Sequence, residues 1–497
     1  MRQRRSDLQE LIQSLDTTEV RYCLAQIEQV QSKHRQRLQQ LFTGLRNASE
    51  VDEKALKSSL QRQNPGWDFA HYKVLLAALV QQSLISYRKS STVETRLLHM
   101  LESEKVLFGK NQFRQCSRLL DEARGLAELY QYPLLEFEIL KRQGSLLNEL
   151  FPDNFEVELK KIAERRIELN RFITNETEYR NLCHLLVLLH RKYYLCRSPE
   201  LKERLLQLRN HPLLNDPEAA LNFRSQRFYN NANAILCQLL GNFEQGIIYL
   251  EKNYHLWLEH PLQRSEKPIA YRGSLEHLCN GYIELNQFDK AKNILQEARK
   301  ITVYGSTENA RWFRAIKLIE LVLCLNTADF AAMPALLNEI KKGLQLYSLP
   351  ESYALSIIHN ASVCCFVTEE YKQALKWLKL INDYNKSGER QDIRDFGLLF
   401  TLILWYCTKK FDLVENYLRS AKHFYTKQNL LYPIESLTII YLPRLMSASK
   451  EIEKQQAAKE FLTALTNLKS TSLGTAELQL WLQSLVEGKP MRKLIIA

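Results

Sequence analysis

The chain has 497 residues, 45% of them apolar, 25% charged and 10% aromatic, with only 15 glycines and 13 prolines. Such low Gly and Pro usage argues against a sheet-rich or linker-rich protein and for long helices, and the length allows two or three globular cores or one elongated solenoid. Sixty-eight basic against 56 acidic residues leave a net charge of +12, spread along the whole chain; this favours a weak attraction for anions and leaves a dedicated nucleic-acid surface as a less favoured alternative.

The ten cysteines (Cys23, Cys116, Cys183, Cys196, Cys237, Cys279, Cys324, Cys364, Cys365 and Cys407) sit mostly in apolar runs, and none forms a Cys-x-x-Cys pair. That usage fits a reducing compartment. The basic start, Met1-Arg-Gln-Arg-Arg-Ser-Asp7, has no apolar stretch behind it and predicts no export signal. The longest apolar run, Phe396 to Cys407, is shorter than the roughly 20 residues a membrane span needs. A cytoplasmic protein with no membrane partner is expected.

Residues 1–95 carry no repeat. Asp7 to Leu15 and Glu19 to Leu45 read as helices, the second long and Gln-rich, and Asn64-Pro65-Gly66 breaks the chain before a helix from Asp68 to Arg88. Residues 96–447 are different, because an aromatic residue returns about every 42 residues. The series runs Phe113, Phe155, Phe243, Phe288, Phe330, Tyr371 and Phe411, with Pro199 in the remaining place. Seven residues further on stand Leu120, Ile162, Leu206, Leu250, Leu295, Leu337, Leu378 and Leu418. Within Ser274 to Ile301, apolar residues keep a three-and-four spacing on both sides of Asn286-Gln287, so two amphipathic helices are joined by a short turn. One repeat is therefore an antiparallel helical hairpin. The position three after each aromatic should be small enough for the helices to approach: Ala291 in this copy, with Gly246, Ala374, Val414 and Met333 in others. The Phe155 and Pro199 copies carry Glu158 and Lys202 there and are the weakest. From 448 to 497, Glu451 to Leu468 and Ala476 to Val486 form a polar-faced pair suited to cap a solenoid, followed by a loose tail from Met491.

In the best copy, Leu275, Leu278-Cys279, Tyr282, Phe288, Ala291, Leu295 and Ala298 resemble the tetratricopeptide motif. Val303 stands where that motif has its terminal proline, and the period of about 40 to 45 exceeds its 34 residues, so longer helices or connectors are implied. The stretches Leu11 to Tyr22, Lys73 to Arg88 and Val106 to Phe113 resemble a family of uncharacterised bacterial helical-repeat proteins of about this length. That resemblance implies the fold and a cytoplasmic location; no functional residue carries over from it. The fold class expected is all-α: a right-handed superhelix, or solenoid, of roughly eight to ten antiparallel hairpins.

Enzyme constellations are missing. There is no Gly-x-Gly-x-x-Gly, phosphate loop, Gly-x-Ser-x-Gly or His-Glu-x-x-His. His184 with His190, and His255 with His260, are six and five apart and point in different directions on a helix, so no metal site is expected. Cys183 beside His184 and the adjacent Cys364-Cys365 fit core thiols better than nucleophiles. The run Arg191-Lys-Tyr-Tyr194 reads as a helix end carrying its favoured basic charge. No cofactor and no catalytic activity are expected.

Stacked as tetratricopeptide hairpins, the first helices would line a concave groove with Asn230, Asn231, Asn233, Glu276, His277, Asn280, His359 and Asn360. An amide there can clamp an extended backbone by donating and accepting at once; the plain alternative is a wet helix face that tolerates Asn. Near the starts of these helices lie Arg224, Arg227, Arg272, Arg311, Arg314 and Arg394, with Tyr229, Tyr271 and Trp312 beside them. Arginine forks suit carboxylates or phosphates, and aromatics add stacking, although solvated charges and interface aromatics explain the same residues. The function expected is a non-catalytic scaffold whose partner is a protein or peptide, an acidic one suiting the arginines. The alternatives are a nucleic-acid-binding repeat protein, which is less favoured, and a ligand-sensing regulatory one; the sequence leaves the oligomeric state open.

Overall fold

The computed structural model describes residues 7–47, 53–63, 66–87, 92–193, 196, 199–302, 305–384, 390–428, 433–468 and 473–495. Residues 1–6, the breaker at Asn64-Pro65, Arg88, Tyr194 and Val303 lie outside them. Among the described residues there are helices and no strand.

The helices run α1 (Asp7–Ser14), α2 (Thr17–Glu28), α3 (Ser32–Asn47), α4 (Glu53–Gln63), α5 (Phe69–Tyr87), α6 (Val93–Phe108), α7 (Phe113–Leu129), α8 (Pro133–Leu150) and α9 (Phe155–Tyr193). Then come α10 (Pro199–Arg209), α11 (Pro212–Asn215), α12 (Phe223–Leu239), α13 (Phe243–Glu259), α14 (Pro261–Glu266), α15 (Pro268–Glu284), α16 (Phe288–Arg299), α17 (Ser306–Thr327) and α18 (Met333–Leu346). The last are α19 (Glu351–Val367), α20 (Tyr371–Lys379), α21 (Gln391–Cys407), α22 (Phe411–Gln428), α23 (Pro433–Ser447), α24 (Glu451–Thr466), α25 (Thr475–Glu487) and α26 (Met491–Leu494). The chain divides into two compact units, 1–285 with 297–306 and 286–296 with 307–497.

The recurring aromatic is a helix start. Phe113, Phe155, Phe243, Phe288, Tyr371 and Phe411 each open a helix, as does Pro199, while Phe330 lies three residues before α18. Two residues before it the backbone is left-handed at Asn111, Gly241, Asn286, Ala328, Glu369 and Lys409, with φ between 52° and 76°. At four of these turns the next residue's N–H reaches back five positions, Gln112 to the Leu107 carbonyl, Asn242 to Cys237, Glu370 to Cys365 and Lys410 to Trp405, at 2.8–3.0 Å. This is the Schellman closure, which satisfies carbonyls orphaned at a helix end. A side chain in the left-handed region costs about 1 kcal/mol that glycine avoids. Lys409 is exposed, so Lys409→Gly is expected to raise stability by up to about 1 kcal/mol, seen as a higher urea midpoint; an unchanged or lower midpoint would contradict a left-handed turn there.

The position three after the aromatic is buried at Cys116, Gly246, Ala291, Met333, Ala374 and Val414, but half-buried at Glu158 and exposed at Lys202. Those two copies depart from the hairpin in another way. The helix from Phe155 does not turn back but continues for 39 residues as α9, because Phe155 to Tyr193 contains neither Gly nor Pro to stop it. Elsewhere the connector after the second helix carries one, as at Pro133, Pro261, Gly305, Pro350 and Pro433.

In the first unit α1, α2, α3 and α5 share a core around Ile12, Ile27, Leu38, Phe42, Leu76 and Val80. The helix expected over Glu19 to Leu45 is broken between Glu28 and Ser32; both halves pack on α5, and Ser32 starts the second. Asp16 caps α2 through its N-terminal amides, with Glu19 bonding back to the Asp16 N–H. From α6 to α15 most packing is between helices close in the chain, α6 on α7, α7 on α8, α8 on α9 and α12 on α13, with α9 reaching past α10 and α11 to α12 and α13 past α14 to α15. A longer-range contact joins parts of the first unit far apart in sequence. Lys267 Nζ pairs with Glu94 at 2.6 Å, Tyr132 donates to Glu266 at 2.8 Å and Gln263 donates to the Tyr130 carbonyl at 2.6 Å, so the α14 segment folds back on α6 and the α7–α8 turn.

The second unit has one continuous core, from Leu321 through Ile357, Phe366, Phe400 and Phe461 to Trp481. The two C-terminal helices form close to the expected limits, as α24 and α25. The tail differs from the expectation of a loose end: α26 buries Met491 completely.

Candidate functional site

The candidate residues of the first unit lie on α12 and α15. Asn222 caps α12 by accepting from the Ser225 N–H at 2.9 Å. Its first turns then present Phe223, Arg224 and Arg227 to the neighbouring helices, three and four residues apart on one side. Phe223 packs edge-on against Trp257 of α13, with centroids 5.0 Å apart, and Tyr271 of α15 lies 5.5 Å from the same indole. Trp257 is fully buried and its Nε1–H donates to Ser274 Oγ at 2.9 Å. Over this indole lies the Arg227 guanidinium, 4.4 Å from the ring centroid, a cation–π contact.

Charge around Arg227 is unbalanced. Glu176 of α9 is buried and accepts from Arg180 at 2.5 Å, with Arg224 at 3.6 Å. Arg224 also lies 5.0 Å from the Tyr132 ring centroid, and Lys267 lies 4.9 Å from that ring. Burial, and then the Arg224 charge, pull the Arg227 pKa down to about 10. Cys183 of α9 is near enough that Arg227 opposes the burial that pushes its thiol up to about 11.

The asparagines divide. Asn233 is buried and donates to the carbonyls of Tyr229, at 3.1 Å, and Leu214, at 3.4 Å; its amide holds the fold together. Asn230 is buried as well. Asn231 is half-buried and accepts from Asn253 Nδ2 at 2.9 Å; Asn253 also reaches Ser274 Oγ at 3.4 Å. A polar network thus joins α12, α13 and α15 behind Trp257. Asn253 was not foreseen, although it interrupts the apolar stripe of α13 formed by Ile247, Leu250 and Trp257, and that interruption was a readable signal. On α15, His277 and Asn280 are exposed and Glu276 half-exposed. His277 is close to His190, whose pKa is lowered by burial first and then by that neighbour. Arg272 is buried.

In the second unit the candidates have separate fates. Arg311 is exposed and pairs with Glu308 at 2.6 Å. Arg314 lies 3.9 Å from the Tyr353 centroid. His359 is buried with its ring 5.6 Å from Phe396, and Asn360 donates to the Ser356 carbonyl of its own helix at 2.9 Å. Arg394 donates to Glu351 and to the Tyr384 carbonyl.

Among the described residues no group of three or more His, Cys, Asp or Glu side chains could hold a metal, and no helix is long and apolar enough to cross a membrane. The chain matches no known family model and no curated protein sequence.

Proposed function

We propose that this chain is a non-catalytic, cytoplasmic scaffold that binds a protein or peptide along the first helices of tetratricopeptide-like hairpins arranged as a right-handed superhelix. What carries the reading is the left-handed turn and aromatic helix start repeated about every 42 residues, with packing mainly between helices close in the chain. Hairpins built to one plan present equivalent faces in series, which lets an extended partner be read at low ordering cost. Exposed His277 and Asn280 on α15 are the side chains best placed to meet it.

A nucleic-acid strand is less well served. The indole of Trp257 is fully buried and Tyr132 nearly so, with arginines over both rings, so neither offers a platform to a base.

The test is capture from lysate of the protein's own source by the tagged full-length chain and by the double variant His277→Ala, Asn280→Ala, each with and without nuclease. One polypeptide should stay with the wild type through nuclease and a moderate salt wash, and the variant should retain several-fold less of it at unchanged melting temperature. Equal capture by the variant would remove α15 from the binding face. Loss of all bound material with nuclease would replace the peptide by nucleic acid.

A further inference from the structure

We propose that Arg227, with Arg224 beside it, is an oxyanion receptor that takes a carboxylate of an acidic peptide on its guanidinium fork. The proposal deepens the scaffold reading and rests on it for the source of the carboxylate.

A guanidinium interacts in two separate ways. Its face stacks on aromatic rings, and its edge carries five N–H donors in one plane. At Arg227 the face is occupied, by Trp257 at 4.4 Å and Phe223 at 5.8 Å. The edge is not: among the described residues no group accepts from Arg227, and while its Nε is sealed without a partner, its two Nη groups are not sealed and are the donors an anion would meet. A stacked ring cannot satisfy in-plane donors, so the cation–π contact does not account for this side chain. Nor does a neighbouring acid. Glu176 is held by Arg180 and Arg224, which sets three arginines against one carboxylate.

Arg227 is half-buried and the nearby Glu176 charge acts on it without a bond; a well-packed apolar side chain would be the cheaper occupant of a purely structural position. Arg224, one turn earlier on the same side of α12, adds a second positive charge instead of relieving the first. Both features are those of a site waiting for an anion. A planar carboxylate matches the fork in charge and geometry, and the covered rings argue against a base-bearing strand as its source.

The experiment is isothermal titration of the full-length protein with two probes, inorganic phosphate and a short acetylated peptide of alternating glutamate and glycine, at ionic strength held constant with sodium chloride. The wild type should bind both saturably. Arg227→Met should weaken both by about tenfold or more, yet melt at a higher temperature than the wild type in chloride, because it removes an unpaired half-buried charge while keeping Trp257 covered. Should that variant misfold, Arg227→Lys keeps the charge without the planar fork and should weaken both probes with the fold intact. Binding of both probes by either variant as tightly as by the wild type would overturn the receptor while leaving the scaffold standing. Phosphate binding that depends on Arg227, with no peptide binding by the wild type, would keep an anion site and overturn the peptide scaffold. A wild type that binds neither probe would overturn the receptor.

Discussion

Replacing Ala374 with Glu is expected to abolish cooperative unfolding of the second unit. Ala374 stands three residues after Tyr371, at the position where the two helices of a hairpin come closest. It is fully buried, and its own carbonyl accepts from Ser362 Oγ of α19 at 3.2 Å. Ser362 is equally buried, so there is no path by which a carboxylate at 374 could reach water without parting α19 from α20. A charge driven into such a contact, together with overpacking, costs about 4 kcal/mol or more, against the roughly 5–15 kcal/mol that holds an ordinary domain together. Ala374→Gly, which adds no bulk or charge, should cost only about 1 kcal/mol. Circular-dichroism melts of the two variants separate these outcomes. A Glu variant that melts like the wild type would mean that α19 and α20 do not meet at this residue, and would remove the physical basis for reading the small position at all.

The small position was legible because it depends on a local rule repeated many times. An aromatic opens the second helix, a left-handed residue precedes it, and a narrow side chain follows three later, so each copy checks the others. Where the local rule lapses, at Glu158 and Lys202, the structure lapses too, into the unbroken α9 and the short α10. The candidate lining was much less legible. Asn230 and Asn233 read as groove-lining side chains because asparagine is polar, but α12 has α9 on one side and α13 on another, and it buries residues over more than half of its circumference, both asparagines among them. On α19 burial goes further, and every residue from Ala354 to Val367 except Asn360 is buried. A helix flanked on both sides loses the polar–apolar contrast from which a groove face can be read, and its polar side chains bind neighbouring backbone instead. The fold-back of Glu266 and Lys267 onto Tyr132 and Glu94 was invisible for a different reason: it joins residues more than 130 positions apart, and no periodicity encodes such a pairing.

Trp257→Ala is expected to cost the first unit about 3–5 kcal/mol, the usual range for emptying a fully buried indole site. The indole contacts Phe223 and Tyr271, donates to Ser274 and lies beneath Arg227, so α12 and α15 lose a common partner at once. Trp257→Phe should be milder, keeping a ring under the guanidinium and giving up the bond to Ser274, whose hydroxyl still donates to the Ala270 carbonyl at 3.2 Å. The informative measurement is a double-mutant cycle by urea unfolding with Trp257→Ala and Arg227→Met. If the indole is what makes a cation tolerable at 227, then Arg227→Met, expected to stabilise the wild type, should stabilise the Trp257→Ala background by more, because there the guanidinium has lost the nearer of its two rings as well as lacking an anion. A coupling of about 0.5–3 kcal/mol between residues in contact is the normal scale. Additive effects would show that Trp257 does not support the Arg227 charge, leaving the indole a core side chain with no part in holding the receptor.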